Sequence, residues 1–379
     1  FFFHKRQQTS PQAPRSSHPA LSLSSRIEQM HASAKKKTNM RNFSATFVAA
    51  MLLFSTILSP RNAAADGTST TCDATSGENC ASAANSSEKV QLFTMDHELF
   101  NIVNRFQQGS HKEFGRILDA GTGIQSFRWI STIIQQGKAG GFGELAASEY
   151  TAVTASEDIY KSVLKEALRI KTFRDGKIIY GNWESGDKSY KDDTQEQILQ
   201  GEMYDTILAD YLLGSVDGFS PYYQDLLYPR LVQHLKPGGR LYVTAIEPVP
   251  DSDEGDADVM CRVRKVRDAC ILLKGDRPYR EYPLAWTLRH LEKAGLKVID
   301  HETVPNYYDH NEIMRHISAA RSTLKSFPSE ALSTEMRLVL DELEEESKEK
   351  TEAAEGGRLQ LGFHYVIAAE LPVGEQDDQ

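Results

Sequence analysis

From residue 92 onward, short apolar runs alternate with segments whose apolar residues recur every three or four positions. Continuous runs of this length predict buried strands, and the spaced pattern predicts helices. Strands are predicted at 115–119, 149–156, 177–183, 204–213, 240–248, 296–304 and 362–372. Helices are predicted at 92–106, 127–136, 159–170, 222–235, 284–294, 310–325 and 329–353. This alternation predicts an α/β fold with a doubly wound, mostly parallel seven-stranded sheet and a helical insertion, at about 310–353, before the last strand.

The first 65 residues have a different pattern and are predicted to lie outside the folded domain. Residues 1–39 are rich in Ser, Pro, His and Lys without apolar periodicity, which is typical of a disordered or untranslated leader. Within residues 40–65, Arg41 precedes an apolar run and a small-residue exit, the pattern of a secretory signal peptide. The run at 42–58 is short for a membrane span, which needs about 20 residues, but a retained anchor stays open as the alternative.

A signal of this kind places the protein in the secretory pathway or an organelle lumen. In a eukaryote with complex plastids the same segment would begin a bipartite transit peptide, and a cytosolic location also stays open. Residues 66–90 form a polar linker and residues 374–379 a disordered tail in this interpretation. The four cysteines are Cys72, Cys80, Cys261 and Cys270. An oxidising compartment would permit disulfides, but no pair has the spacing of a zinc site, so no metal is expected.

The charge distribution argues against a nucleic-acid substrate. Residues 1–65 hold nine Lys and Arg residues and one acidic residue, which leaves 34 basic and 52 acidic residues in the rest of the chain. A domain this acidic repels a phosphate backbone. A small-molecule substrate is therefore the better expectation.

The chemistry-bearing segment is 118–123, where a strand ends in Asp119 and runs into a Gly-Thr-Gly turn before a helix. Glycine lets the main chain approach a ligand closely at the carboxyl end of a parallel strand. A dinucleotide site would need a third glycine, but position 126 is Ser. The acid before the first glycine suits a positively charged ligand instead.

With two further segments, the chain resembles the class I S-adenosylmethionine-dependent methyltransferases from about Leu92 to Pro372. Residues 119–123 are similar to the first motif of that family, residues 204–210 to its fourth-strand motif, and residues 235–243 to the loop and strand that follow. The resemblance implies a methyltransferase domain over residues 91–373, S-adenosylmethionine as the cofactor and transfer of a methyl group to a small-molecule acceptor.

The resemblance also implies a set of cofactor-binding residues. They are Asp119, Gly121, Thr122, Gly123, Thr154, Glu157, Asn182, Trp183 and Asp210. The family usually has an acid at the end of the second strand that binds the ribose, and here Thr154 stands at that position. Either Glu157 reaches the ribose or Thr154 makes a single hydrogen bond; Glu157 is alternatively an acid favoured by the helix dipole. Trp183 is either a stacking face for the adenine or part of the core.

Methyl transfer requires alignment of the nucleophile and, for some acceptors, a group that accepts a proton. Asp210 and Tyr211 follow the fourth strand, where the family places substrate contacts, and are the catalytic candidates. Two alternatives remain open: a cofactor-binding pseudoenzyme, and an aminopropyltransferase similar to the polyamine synthases. The acceptor, the alkylated atom and the oligomeric state do not follow from the sequence.

Overall fold

The computed structural model describes residues 94–138, 145–190 and 196–373, with side chains described from Glu98 onward. The predictions for the leader, the signal or anchor segment, the linker with Cys72 and Cys80, and the C-terminal tail lie outside these ranges. Within them, no helix combines the length and the apolar character that crossing a membrane requires.

The described chain alternates strands and helices in the predicted manner. The strands are β1 (Gly115–Asp119), β2 (Ala147–Thr154), β3 (Gly176–Tyr180), β4 (Tyr204–Asp210), β5 (Leu235–Ile246), β6 (Lys297–Asp309) and β7 (Arg358–Glu370). The helices are α1 (Thr94–Gln108), α2 (Ile124–Lys138), α3 (Glu157–Arg169), α4 (Leu212–Ser215), α5 (Gln224–Val232), α6 (Asp258–Lys274), α7 (Leu284–Lys293), α8 (His310–Thr323) and α9 (Glu330–Ala353).

The seven strands form one sheet in the order β3-β2-β1-β4-β5-β7-β6. All neighbouring pairs from β3 to β5 are parallel, and β7 runs antiparallel to both β5 and β6. Apolar clusters lie on both faces of the sheet, one with α1 and α2 and the other with α5 and α7. The prediction of a mostly parallel, doubly wound, seven-stranded sheet is confirmed.

The direction of the chain reverses between β1 and β4. The chain moves outward from β1 through β2 to β3, then crosses back to β4 and continues to β5 on the other side. Such a reversal separates the loops that leave the carboxyl ends of the two central strands and opens a crevice between them. The topology therefore positions a ligand site where Asp119 and Asp210 end their strands.

A second structural unit stands at the same edge of the sheet. The hairpin of β6 and β7 extends past the end of β5, since its pairing continues to Asp309 and Arg358 while β5 stops at Ile246. Helices α6, α8 and α9 pack against this extension around a separate apolar cluster that includes Met260, Ile317 and Leu361. We call α6, α8, α9 and the hairpin extension the cap.

Two local features differ from the sequence prediction. Residues 236–239 were expected to close a helix as a loop, but they lie within β5, where Leu235 pairs with Tyr204 and Arg240 with Thr206. The four residues thus bulge opposite Asp205, whose carboxylate accepts a hydrogen bond from Lys236 at 2.8 Å. Helix α6, with buried Cys261 and Cys270 as free thiols, was not predicted at all.

Candidate active site

The glycine turn after β1 is held by hydrogen bonds to the two neighbouring strands. The amide of Ala120 donates to the carbonyl of Leu208 in β4 at 2.8 Å, and the amide of Thr122 donates to Val153 in β2 at 2.8 Å. A Cβ at Gly121 would lie 2.9 Å from the Leu212 side chain, so only glycine fits there without movement. At Gly123, by contrast, a Cβ would meet no atom within 4 Å. The turn therefore presents open space above a rigid backbone.

Asp119 lies completely buried beneath this turn. Its Oδ2 accepts a hydrogen bond from the Ser126 hydroxyl at 2.7 Å, whereas Oδ1 has no hydrogen-bond partner among the described residues. Burial raises the pKa of Asp119 to about 6, against the opposing effect of the Thr122 and Ser126 hydroxyls and the Gly121 amide. A buried carboxylate with one unused oxygen is costly unless a ligand supplies the missing donor or cation.

A crevice opens beside the turn. Its walls come from the loops that follow β1, β2, β3 and β4 and from a segment after α6. The lining residues are Ala120, Gly121, Thr122, Val153, Thr154, Ala155, Ser156, Gly181, Asn182, Trp183, Leu212, Ser215, Val216, Phe219 and Tyr279. Five of the predicted cofactor residues are thus brought together, while Asp119, Gly123, Glu157 and Asp210 do not line it.

Trp183 and Asn182 form the wall after β3. The indole Nε1 of Trp183 donates to the carbonyl of Ala120 at 2.6 Å, and the ring is 3% exposed. Trp183 is therefore a core residue that also lines the crevice. The Asn182 Oδ1 accepts a hydrogen bond from Ser220 at 3.0 Å, so the orientation of its amide is set.

The two candidates for the ribose contact occupy different environments. Thr154 ends β2, is 7% exposed and lines the crevice, with its Oγ1 accepting from the Ser156 amide at 3.2 Å. Glu157 begins α3 outside the lining, has a 58% exposed side chain and pairs with Lys161 at 2.7 Å. The geometry favours Thr154 for a ligand contact and the helix-dipole interpretation for Glu157.

The catalytic candidates Asp210 and Tyr211 lie at the carboxyl end of β4. The Asp210 carboxylate accepts a hydrogen bond from Thr244 on β5. Tyr211 adopts the left-handed conformation with φ of 47°, which is strained for a side chain other than glycine and typical of functional sites. In this conformation the Tyr211 amide donates a hydrogen bond to the carbonyl of Thr244 at 2.9 Å, and the phenol points toward β7.

The Tyr211 hydroxyl belongs to a polar chain that the sequence did not reveal. It lies 2.8 Å from Nδ1 of His364 on β7, whose Nε2 lies 2.9 Å from Oδ1 of Asn306 on β6. Since the Asn306 amide nitrogen donates to Tyr308 at 2.7 Å, its oxygen must accept from His364. Burial lowers the pKa of His364 to about 4, so the ring is neutral near pH 7. Its Nδ1 therefore accepts, and Tyr211 is the donor.

The described residues hold no cluster of three or more His, Cys, Asp or Glu side chains suited to a metal ion.

No protein-family model matches the chain, and no curated protein matches it either. Among solved structures, a methyltransferase from Thiobacillus denitrificans in complex with S-adenosyl-L-homocysteine is 18% identical, with 76% of this chain and 95% of that chain covered and a TM-score of 0.38. An N-methyltransferase from Bradyrhizobium japonicum, also with S-adenosylhomocysteine, is 10% identical, with 76% and 94% covered and a TM-score of 0.36. The [4+2]-cyclase SpnF is 15% identical, with 72% and 82% covered and a TM-score of 0.39.

At these identities and TM-scores, any assignment of function depends on the residues of the crevice itself.

Proposed function

We propose that the protein is an S-adenosylmethionine-dependent methyltransferase that acts on a small molecule. The observation that carries the proposal is Asp119, a buried carboxylate with one unused oxygen under a glycine turn at the topological switch point. A ligand with a positive charge and a donor near this turn would satisfy the oxygen. The amino-acid end of S-adenosylmethionine has both.

The crevice has places for the remaining parts of such a cofactor. The glycine turn with Thr122 holds the amino-acid end, Thr154 is positioned for one hydrogen bond to the ribose, and Asn182 with Trp183 forms the wall for the adenine. Leu212 and Phe219 contribute apolar surface to the crevice lining. When bound, the sulfonium supplies an activated methyl group for an in-line displacement.

Tyr211 is the residue we assign to the acceptor. Its proton is directed to Nδ1 of His364, which Asn306 holds in the required tautomer. Because the phenol donates its proton to His364, its oxygen can accept a hydrogen bond from an N–H or O–H group of the methyl acceptor and so align that group. The left-handed backbone of Tyr211 fixes this direction. Tyr211 is thus an orienting group for the nucleophile, with Asp210 behind it on β4.

The polyamine-synthase alternative requires carboxylates along the substrate channel. Two acids at this edge are engaged within the protein: Asp210 binds Thr244, and Oε1 of Glu247 accepts from the amide of Leu284 at 2.9 Å. The geometry therefore gives this alternative no particular support.

The test is transfer of a labelled methyl group. The full chain is incubated with methyl-labelled S-adenosylmethionine and a pool of small metabolites, and the label is followed into the small-molecule fraction. We expect transfer by the wild-type protein and a loss of about 10² in kcat for Tyr211→Phe. Tyr180→Phe, on the 56% exposed Tyr180 of β3, is the matched control and should keep full activity. Absence of both cofactor binding and transfer would overturn the proposal.

A further inference from the structure

A cluster of charged and polar side chains, which the proposed cofactor site does not use, lies on α6 and α8 of the cap and on the segment that follows α6. The cluster consists of Arg264, Arg267 and Asp268 on α6, His316 on α8, and Tyr279 and Glu281 on the segment between α6 and α7. Tyr279 connects the cluster to the crevice, since it lines the crevice and its pKa responds to the charges of Glu281 and Arg267. The cluster therefore adjoins the crevice at Tyr279.

Arg267 is already satisfied by its neighbours. It is 6% exposed and donates to Oδ1 of Asp268 from Nε at 2.8 Å and from Nη2 at 2.6 Å. Its Nη1 donates to Nδ1 of His316 at 2.7 Å. Because arginine has no acceptor, the His316 ring must be neutral with its proton on Nε2. The charges of Arg267 and Asp268 thus balance each other beside a neutral His316.

Arg264 and Glu281 are not satisfied. Both are partly buried, and among the described residues neither has a hydrogen bond or an ion pair, although each lies within electrostatic reach of the other. The Glu281 carboxylate rests against α4, where a Cβ at Gly214 would lie 2.5 Å from its Oε2. Gly214 is three residues beyond Tyr211, so this carboxylate lies on the acceptor side of the crevice.

Tyr279 adds an unused donor or acceptor in the same place. Its hydroxyl is buried and has no hydrogen-bond partner in the described part of the chain. Burial raises the pKa of Tyr279, so the group is a neutral phenol near pH 7. An unpaired cation, an unpaired acid and an unpaired hydroxyl are each costly in a partly enclosed space, and a bound ligand with matching charges would satisfy all three.

Resting on the proposed function, we propose that Arg264 and Glu281 form the acceptor subsite and that the acceptor is a small zwitterion. Arg264 binds its anionic group, a carboxylate or a phosphate, which the planar guanidinium suits in both cases. Glu281 binds its ammonium group on the side of Tyr211. The positive charge of Arg264 and the negative charge of Glu281 sum to zero. A ligand that carries one charge of each sign keeps that balance, so it fits better than an anion or a cation alone.

The subsite can be tested by NMR titration of the full chain saturated with S-adenosylhomocysteine. The Nε–Hε resonance of Arg264 is assigned by its disappearance in Arg264→Gln. Glycine and phosphoethanolamine are the zwitterionic probes, with a carboxylate and a phosphate respectively, and acetate, inorganic phosphate and ethylamine are the single-charge probes. We expect one zwitterion to shift this resonance with an affinity at least about tenfold tighter than its single-charge analogues, and the tighter one identifies the anionic group.

Two variants test the subsite, and a control substitution on α6 lies two residues from Arg264. Arg264→Gln and Glu281→Gln should each weaken zwitterion binding about tenfold or more. Arg262→Gln, two residues away on α6 but paired with Asp258 and Glu346, should bind the probes like the wild type. Equal binding by single-charge probes, no binding of either zwitterion, or unchanged affinity in both variants would overturn the inference. Affinity for S-adenosylhomocysteine is measured on the same samples. If the wild-type protein does not bind S-adenosylhomocysteine, the proposed function is refuted. If it binds S-adenosylhomocysteine but neither zwitterion, only the subsite is refuted.

Discussion

The pKa of Asp119 makes cofactor binding depend on pH in a way that can be worked out from the structure. Burial raises this pKa from the ordinary 3.8 to about 6. A cationic ligand requires the ionised carboxylate, so affinity should be close to full at pH 7 and above and should fall as the pH drops through 6. At pH 5 about one molecule in eleven carries the ionised group, and the apparent Kd should be about tenfold weaker than at pH 7.

Other groups do not produce this slope. The α-ammonium and α-carboxylate groups of S-adenosylhomocysteine keep their charges between pH 5 and pH 7. The pKa of His364 is about 4, below the range. Unfolding of the site in acid does not explain it either. Because the folded-state pKa of Asp119 is raised, its titration favours the folded state below about pH 4 and this contribution is lost as the pH rises through 6.

The assay is calorimetric titration with S-adenosylhomocysteine at half-unit steps from pH 5 to pH 8. Asp119→Asn removes the titrating group, so binding should be about tenfold weaker or more and independent of pH over this range. Asp158→Asn, in the first turn of α3 and outside the crevice lining, should retain the wild-type slope. A flat wild-type profile, or a slope that persists in Asp119→Asn, would refute the role given to this carboxylate.

Substitutions in the crevice give two further expectations. Gly123→Ala should leave the melting temperature unchanged, because its Cβ meets no atom within 4 Å, but should weaken S-adenosylhomocysteine binding by filling the space above the turn. Gly121→Ala should lower the melting temperature, because its Cβ comes within 2.9 Å of Leu212. Equal melting temperatures would contradict this geometry. Thr154→Ala should weaken the same ligand about fivefold, the value of one hydrogen bond, while Glu157→Gln changes its Kd less than about twofold; the reverse order would assign the ribose to Glu157.

The sequence predicted the sheet well because strand burial and helix periodicity are local signals. The apolar run at 204–210 and the acid-glycine turn at 119–123 fall where the structure places β4 and the end of β1. Helix α6 was not predicted because Arg264 and Arg267 interrupt the apolar positions along it.

The acceptor side of the site was less accessible to sequence reasoning. Tyr211 was a candidate from its place after a strand, but its partner His364 is 153 residues away and depends on the register of β7 against β5 and β6. Glu281 and Arg264 lie on different segments, and only the tertiary structure brings them within electrostatic reach of each other. Long-range pairings of this kind have no local pattern, so a single sequence could not reveal them.

Calorimetric titration of the full chain with S-adenosylmethionine at pH 7.5 tests whether the crevice beside Asp119 binds this cofactor. We expect one site with a Kd in the micromolar range, about −8 kcal/mol, and at least about tenfold weaker binding in Asp119→Ala. No binding by a folded sample, or equal binding by Asp119→Ala, would contradict it.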